Sequence, residues 1–316
     1  MFNDKTVSVV VPAYNEENLI RRTLQSIPDW VDHIFVVDDS SLDQTAARVR
    51  EIMGTDPRVH LVQHAENRGV GAAICTGYKE SLKINCDVSV VMAGDAQMDP
   101  ADLPAIVEPV AKEGVDYAKG NRLFHGEAWN LIPRYRYIGN AVLSLLTKVA
   151  SGYWQIADSQ CGYTAISKRA LERVDLDGIY PRYGMPNDML VQLNIANCTV
   201  RDVPIRPVYN IGERSGIRVR KVLFTISGLL VTRFFERLME KYVIRDFHPL
   251  IFFYTLGLIA FPAGFITGLY LFFFRIVQGP VSTTSALFAT FLIITGLQFL
   301  LFAMWFDMEY NKHLKG

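Results

Sequence analysis

Three short clusters of carboxylates, amides and hydroxyls interrupt the apolar stretches before residue 100: Pro12–Glu16 (PAYNE), Asp38–Ser41 (DDSS) and Asp95–Asp99 (DAQMD). Each follows a run of Val, Ile or Met that reads as a buried strand. Carboxylates at such a place are costly to bury unless something positive is held there. In an open α/β sheet the carboxyl ends of the strands are also where ligands bind. One acidic pair alone can be a helix N-cap, and Asp38–Ser41 ahead of a helical segment at 42–53 fits that description. Three clusters on one rim can share a ligand.

The elements that would place them follow from periodicity. Residues 7–12, 34–38, 59–64 and 88–93 are short β-branched runs, and the segments 16–27, 42–53, 70–83 and 101–113 have helical spacing. Strands alternating with helices predict βαβ units and a doubly wound, mostly parallel sheet. The glycine fingerprint of dinucleotide-binding folds is missing after the first strand, where PAYNEE stands instead, and RGVGAA at 68–73 lacks the third glycine, which disfavours a dehydrogenase.

The formal net charge is zero and a fifth of the 316 residues are charged, which gives no electrostatic reason to expect a nucleic-acid partner. Four cysteines without a C-x-x-C spacing fit reduced thiols, and the six histidines show no metal-ligand spacing. No charged residue occurs from Leu250 to Phe274 or from Ile276 to Phe306. Each run meets the roughly 20 residues that cross a hydrocarbon core, so two transmembrane helices are expected at about 250–274 and 285–306, with Pro262 and Gly264 as places for a kink in the first. Seven Lys and Arg lie between 218 and 245 against Arg275 alone near the connecting turn, which predicts that the first 249 residues and the C-terminal tail face the cytoplasm. The start of the chain shows no signal peptide. Residues 219–243 read as a basic amphipathic helix lying in the headgroup layer, with Leu223, Ile226, Leu230, Phe234 and Leu238 on its apolar face and Arg233, Glu236, Arg237, Glu240 and Lys241 elsewhere. The expected divisions are a catalytic domain at 1–217, interfacial helices at 218–248, two membrane helices at 249–306 and a tail at 307–316.

VSVVVPAYNEE, VVDDSSLDQT, ENRGVGAA, GDAQMDP, GNR and DSQCGY occur in the order seen in family 2 glycosyltransferases of the GT-A fold. The chain resembles in particular the branch of dolichyl-phosphate mannose synthases and bacterial polyprenyl-phosphate glycosyltransferases, over about residues 5–220. The resemblance implies that Pro12, Tyr14, Glu16, Asp38 and Asp39 hold the base and ribose of a nucleotide sugar. It implies that Asp95 and Gln97 offer oxygen to a Mg²⁺ or Mn²⁺ ion on the diphosphate. The first acid of that family's metal motif is replaced here by Ala93. Arg122 matches the family's Gly-Ser-Arg position, and Arg136 with Asn140 matches the pair that binds the lipid phosphate, with Arg134 nearby. Asp158 is the acid of DSQCGY, orienting sugar or acceptor or capping its turn. Arg214 and Ser215 lie in a Gly-rich loop expected to close over the diphosphate, and Asp188 stands where relatives carry an acid near the sugar.

The expected function is an inverting transfer of one sugar, from a UDP- or GDP-linked donor to undecaprenyl or dolichyl phosphate at the cytoplasmic membrane face. Asp95, Gln97, Arg122 and Asp158 carry the chemistry, and relatives with such helices assemble as tetramers. Two alternatives are a polysaccharide synthase-like transferase, whose Gln-x-x-Arg-Trp motif is missing, and a nucleotide-sugar-sensing pseudoenzyme scaffold, which Ala93 keeps open.

Overall fold

The computed structural model describes residues 1–124, 134–206, 208 and 219–316, and of 134–138 and 219–223 the backbone alone. The chain forms two compact units, Met1–Phe234 with His313–Gly316, and Phe235–Lys312.

In the first unit all seven residues of β1 (Val7–Ala13, VSVVVPA) are buried, which leaves no solvent face, so both faces must be covered. Around it lie β2 (His33–Asp38), β3 (Val59–Gln63), β4 (Val88–Val91), β5 (Tyr117–Asn121), β6 (Thr164–Ser167) and β7 (Val200–Pro204), in the order β3-β2-β1-β4-β6-β5-β7. All pairs are parallel except those of β6, which is antiparallel to β4 and to β5. Val7, Val9 and Val11 pack with Leu24 of α1 (Ile20–Ser26), Val49 of α2 (Thr45–Met53) and Ile106 of α4 (Leu103–Ala111). Val10 on the other face packs with Ile74 and Tyr78 of α3 (Val70–Lys83) and with Met189 and Leu193 of α7 (Met185–Ile195). The period-2 alternation of one strand thus feeds two cores. α5 (Arg134–Ser151) and α7 contribute Leu143 and Val191 to a third cluster, with Ile226 and Leu230 of α8 (Val219–Met239). α6 (Lys168–Arg173) follows β6 directly. At the chain's end Leu314 is buried and Lys315 bridges Val200, so 313–316 packs on the β7 edge.

The second unit holds a π-helical turn, Glu240–Arg245, and two helices of 28 residues each, α9 (Leu250–Val277) and α10 (Thr283–Tyr310). At ~1.5 Å per residue each is about 42 Å long, more than a hydrocarbon core. α9 runs unbroken through Pro262. The two helices approach closely where glycines face the partner: a Cβ on Gly296 would lie 2.3 Å from the Phe261 amide nitrogen, and one on Gly264 would lie 2.7 Å from that of Ile293. Their outward surface is apolar, with Phe265, Phe272, Phe288 and Phe291 all more than half exposed.

α8 differs from its sequence expectation in which face is free. Ile226, Leu230 and Leu238 are buried, and so are Arg237 and Lys241, which the sequence pattern places off the apolar face. Arg237 is buried against Asp307 (2.8 Å), and Lys241 donates to Asn311 Oδ1 (2.8 Å). The exposed stripe is instead Phe224, Val231, Phe235 and Met239, on the opposite side at helical spacing. The helix has two apolar faces, and the buried one took the basic residues that could be paired.

Candidate active site

The strand register brings the clusters together. Asp39 N bonds to Ala13 O (2.9 Å) and Gly94 N to Pro12 O (3.2 Å), so the chain after β2 and after β4 continues alongside the end of β1. A cleft of about 790 Å³ opens there, lined by Pro12, Tyr14, Glu16, Asp39, Asp43, Asn67, Gly69, Ala93, Asp95, Arg182 and Tyr183 among others. Tyr14 lines the cleft and is 44% exposed, so its ring is accessible for stacking. Asn15, with φ of 57°, turns the chain so that Glu16 N reaches Thr45 Oγ1 (2.7 Å) and Asn15 Oδ1 accepts from Leu42 N (2.9 Å). The loops after β1 and β2 are thereby stitched into one wall.

The carboxylates do different work. Glu16 is half-buried, and burial, then Asp95 and Asp43, push its carboxyl up to about 7. Asp43 is held below the usual carboxylate range despite some burial, by hydrogen bonds from Thr45 and backbone amides. Asp39 is buried and accepts from Arg68 N (2.9 Å) and Gly69 N (2.8 Å), with His64 Nδ1 at 2.7 Å. It fixes the turn into α3, where Gly69 has φ of 99° and a Cβ would strike Pro181 O at 2.5 Å. Asp38 does not line the cleft; it accepts from Ser41 N (3.2 Å) and Gln63 Nε2 (3.0 Å).

In the stretch after β4, Asp95 faces the cleft and its Oδ1 accepts from Gln97 N (3.1 Å), closing a turn in which Ala96 takes φ of 57°. Asp99 caps the short 3₁₀ turn Pro100–Asp102 through Ala101 N (2.9 Å). Ala93 donates its amide to Met98 Sδ (3.2 Å). Among the described residues no three His, Cys, Asp or Glu side chains converge as a metal centre. Asp95 lines the cleft whereas Gln97 is absent from its lining, and a carboxylate there fits a hard divalent ion that takes its other ligands from phosphates and water. Burial is the largest cause that raises Glu16, and the added repulsion from Asp95 and Asp43 is what such an ion would relieve.

Farther along the same rim, Asp158 has no exposed surface and is held ionised below its usual range: burial opposes this, but Arg122 and Lys119 outweigh it. Its oxygens accept from Arg122 Nε (2.7 Å) and Nη2 (3.0 Å), and from the amides of Arg122 (3.3 Å) and Gln160 (3.2 Å). With its acceptor sites so occupied, it orients Arg122. The two loops touch, since Tyr163 OH donates to Asp99 O (3.1 Å). Beneath them, burial pushes the Asp202 carboxyl up to about 6, and its Oδ1 is buried with no hydrogen-bond partner among the described residues.

Asn140 is half-buried on α5; Arg134 and Arg136 lie on the same helix, their side chains outside the described residues, as are Arg214 and Ser215 altogether. Asp188 is buried, accepting from Tyr180 N (2.6 Å) and pairing with Arg233 (2.7 Å), and is absent from the cleft lining. Sequence reading missed His64, Asp43, Lys119, Asp202, and Arg182 with Tyr183, which reach the cleft from a segment more than 80 residues beyond Asp95. A histidine alone in a β-branched run gave no cue to His64, and a lysine in a five-residue strand gave none to Lys119.

Residues 8–175 match the model of the family described as Glycosyl transferase family 2. The chain is 28% identical over 219 residues to the UDP-N-acetylglucosamine–dolichyl-phosphate N-acetylglucosaminyltransferase of Methanococcus voltae, covering 65% of this chain and 87% of the relative. It is 32% identical over 240 residues to an uncharacterized protein of Methanocaldococcus jannaschii, covering 76% and 93%. In structure it is similar to the glucosyl-3-phosphoglycerate synthase of Mycobacterium tuberculosis, solved with Mn²⁺, UDP and glucosyl-3-phosphoglycerate, with a TM-score of 0.53, 23% identity and coverage of 74% and 80%. The doubly wound GT-A sheet expected from the sequence is the fold found.

Proposed function

The chain belongs to glycosyl transferase family 2, and on that premise we propose that it is a membrane-anchored inverting transferase moving one sugar from a nucleoside diphosphate to a polyprenyl phosphate. What supports this most is the shared rim: the acid-lined cleft that opens at Asp95 adjoins, through the Tyr163–Asp99 contact, the loop that orients Arg122.

In this reading the base and ribose occupy the cleft, with Tyr14 stacking and Glu16 and Asp39 beside them. Asp38 acts behind the wall, supporting the turn that carries Asp39. Asp95 and Gln97 would hold a Mg²⁺ or Mn²⁺ ion, which when bound acts as a Lewis acid toward the departing nucleoside diphosphate. Arg122, held planar and aimed by Asp158, donates to phosphate or to the sugar's leaving oxygen. Asn140 and Arg136 on α5 receive the lipid phosphate. An anionic phosphate monoester attacks the anomeric carbon in line and inverts it, so Asp158 is not needed as a base. Arg214 and Ser215 would close over the diphosphate and exclude water. Holding both reactants in place supplies up to roughly 7–11 kcal/mol of the barrier.

The acceptor explains the apolar surfaces. α5 exposes Val142, Leu145 and Leu146, and α8 exposes Phe224, Val231, Phe235 and Met239, which suits contact with the acyl boundary of a bilayer. Arg233, Arg237 and Lys241 are bound inside the protein, and the excess of Lys and Arg between 218 and 245 over Arg275 supports a cytoplasmic orientation of this side. The test is transfer of radiolabelled sugar into a mild-acid-labile lipid fraction. No label there with UDP- and GDP-linked donors, Mn²⁺ and polyprenyl phosphate would refute the proposal.

A further inference from the structure

A lysine lies inside the sheet, closed off from solvent. All five residues of β5 are buried, and Lys119 at its centre has no exposed surface. A buried ammonium persists only when it is hydrogen-bonded and faces opposite charge. Lys119 Nζ donates to the carbonyl oxygen of Cys161, and Asp158 and Asp202 are among the charges it feels, with burial acting to lower its pKa. Its register partner across the ladder is Asp202 on β7. Asp202 Oδ2 accepts from Ala157 N (2.7 Å) and from Asn121 Nδ2 (2.6 Å).

These contacts have one object in common. Ala157 and Cys161 are the two ends of the loop that carries Asp158, so Asp202 grips one end and Lys119 the other. From above, the same loop holds Arg122 through Asp158 and meets α5 where Ser159 N donates to Ser144 Oγ (3.2 Å). Gln160 Nε2 and Thr147 Oγ1 both donate to Asn187 Oδ1, at 2.7 and 2.8 Å, which ties loop, α5 and α7 together. Ser144 lies one helical turn beyond Asn140. The loop therefore joins the guanidinium to the helix proposed to receive the lipid phosphate, and its footing is in the sheet.

We propose that Lys119 is a positioning residue for the transfer: by holding Cys161 beneath the sheet's rim it fixes the 157–161 loop, and through it the acceptor-side presentation of Arg122 and α5. This rests on the proposed function for its kinetic consequence, though not for its structural one. The cleft is lined from the ends of β1, β2 and β4, the start of α3 and Arg182–Tyr183, and includes neither Lys119, Arg122 nor the 157–161 loop, so binding of the base and ribose should not depend on Lys119.

The experiment uses the full chain in nanodiscs, with Lys119→Met and Lys119→Gln. Lys119→Met is expected to lower kcat/KM for polyprenyl phosphate at least thirtyfold while the Kd for the donor nucleotide changes less than twofold. Melting temperature should stay level or rise, because a well-packed apolar side chain often replaces a buried charge without loss of stability. Lys119→Gln, which keeps a donor for Cys161, should recover part of the rate. Hydrogen exchange should rise in 157–163 and stay unchanged around Asp39 and Asp95. Unchanged exchange in 157–163 overturns the inference whether or not the unaltered chain transfers sugar. With transfer present, so does an unchanged acceptor kcat/KM, or a donor affinity and a melting temperature that fall together with the rate. Absence of transfer by the unaltered chain refutes the proposed function alone.

Discussion

Asp158 and Arg122 should behave as one unit rather than as two catalysts. Asp158 is wholly buried and accepts four hydrogen bonds, of which the two from the guanidinium at 2.7 and 3.0 Å hold it in one plane. In Asp158→Asn one oxygen survives and the new NH₂ opposes an arginine donor, so the forked contact is lost. Hydrogen bonds to charged groups contribute about 1.5–3 kcal/mol, and at about 1.4 kcal/mol per tenfold that is a rate loss of about 10- to 150-fold if the work of the pair is to aim Arg122. Arg122→Met removes what is aimed and should cost at least as much. The double variant should then be no slower than Arg122→Met alone, leaving a coupling energy of about 1.5–3 kcal/mol in the cycle. Initial rates of sugar transfer to polyprenyl phosphate at saturating donor measure all four corners. Losses that multiply, together with a new pH dependence in Asp158→Asn, would refute the bracing role and make Asp158 an independent acid or base.

Other outcomes follow from the same geometry. Asp95→Ala should reduce transfer by about a hundredfold or more and abolish the thermal shift that Mn²⁺ adds to nucleotide, which differential scanning fluorimetry reads. Glu16, pushed up to about 7 in the free protein, should ionise when a divalent ion and donor bind beside Asp95. Binding should then release protons between about pH 5 and 7, seen by calorimetry in two buffers of different ionisation enthalpy and lost in Glu16→Gln. Asp307→Ala strands Arg237 as a buried, unpaired cation in the second unit and should destabilise it by about 3–5 kcal/mol, measured as accelerated thermal inactivation, whereas Lys312→Ala on the exposed surface should change little. Phe235→Glu on the exposed stripe of α8 should weaken liposome activity several-fold more than activity in detergent micelles.

Much of the first unit is legible because apolar strands announce themselves: β1 to β4 stand where their Val-rich runs lie, to within two residues, and each is followed by its helix. The far side of the sheet is not legible in the same way. β5 and β7 contain Lys119, Asn121, Arg201 and Asp202, so their polarity hides strands that are buried by virtue of specific pairing rather than composition. The reversed direction of β6 leaves no local mark at all. Cleft-lining residues follow the same division. Tyr14, Glu16, Asp39 and Asp95 are found from strand ends, while Asp38 belongs to the supporting wall and Arg182 comes from a remote segment. For α8 the periodicity is real, but two apolar faces compete, and only packing against α5 and α7 decides which one is buried.

The most direct test of the account is mass spectrometry of the lipid product after purified, full-length chain is incubated with Mn²⁺, polyprenyl phosphate and UDP- or GDP-linked donors. One sugar added per polyprenyl phosphate, with an equal amount of nucleoside diphosphate released, is the result it predicts. Chains of several sugars, or nucleotide bound with the lipid mass unchanged under every donor, would contradict it.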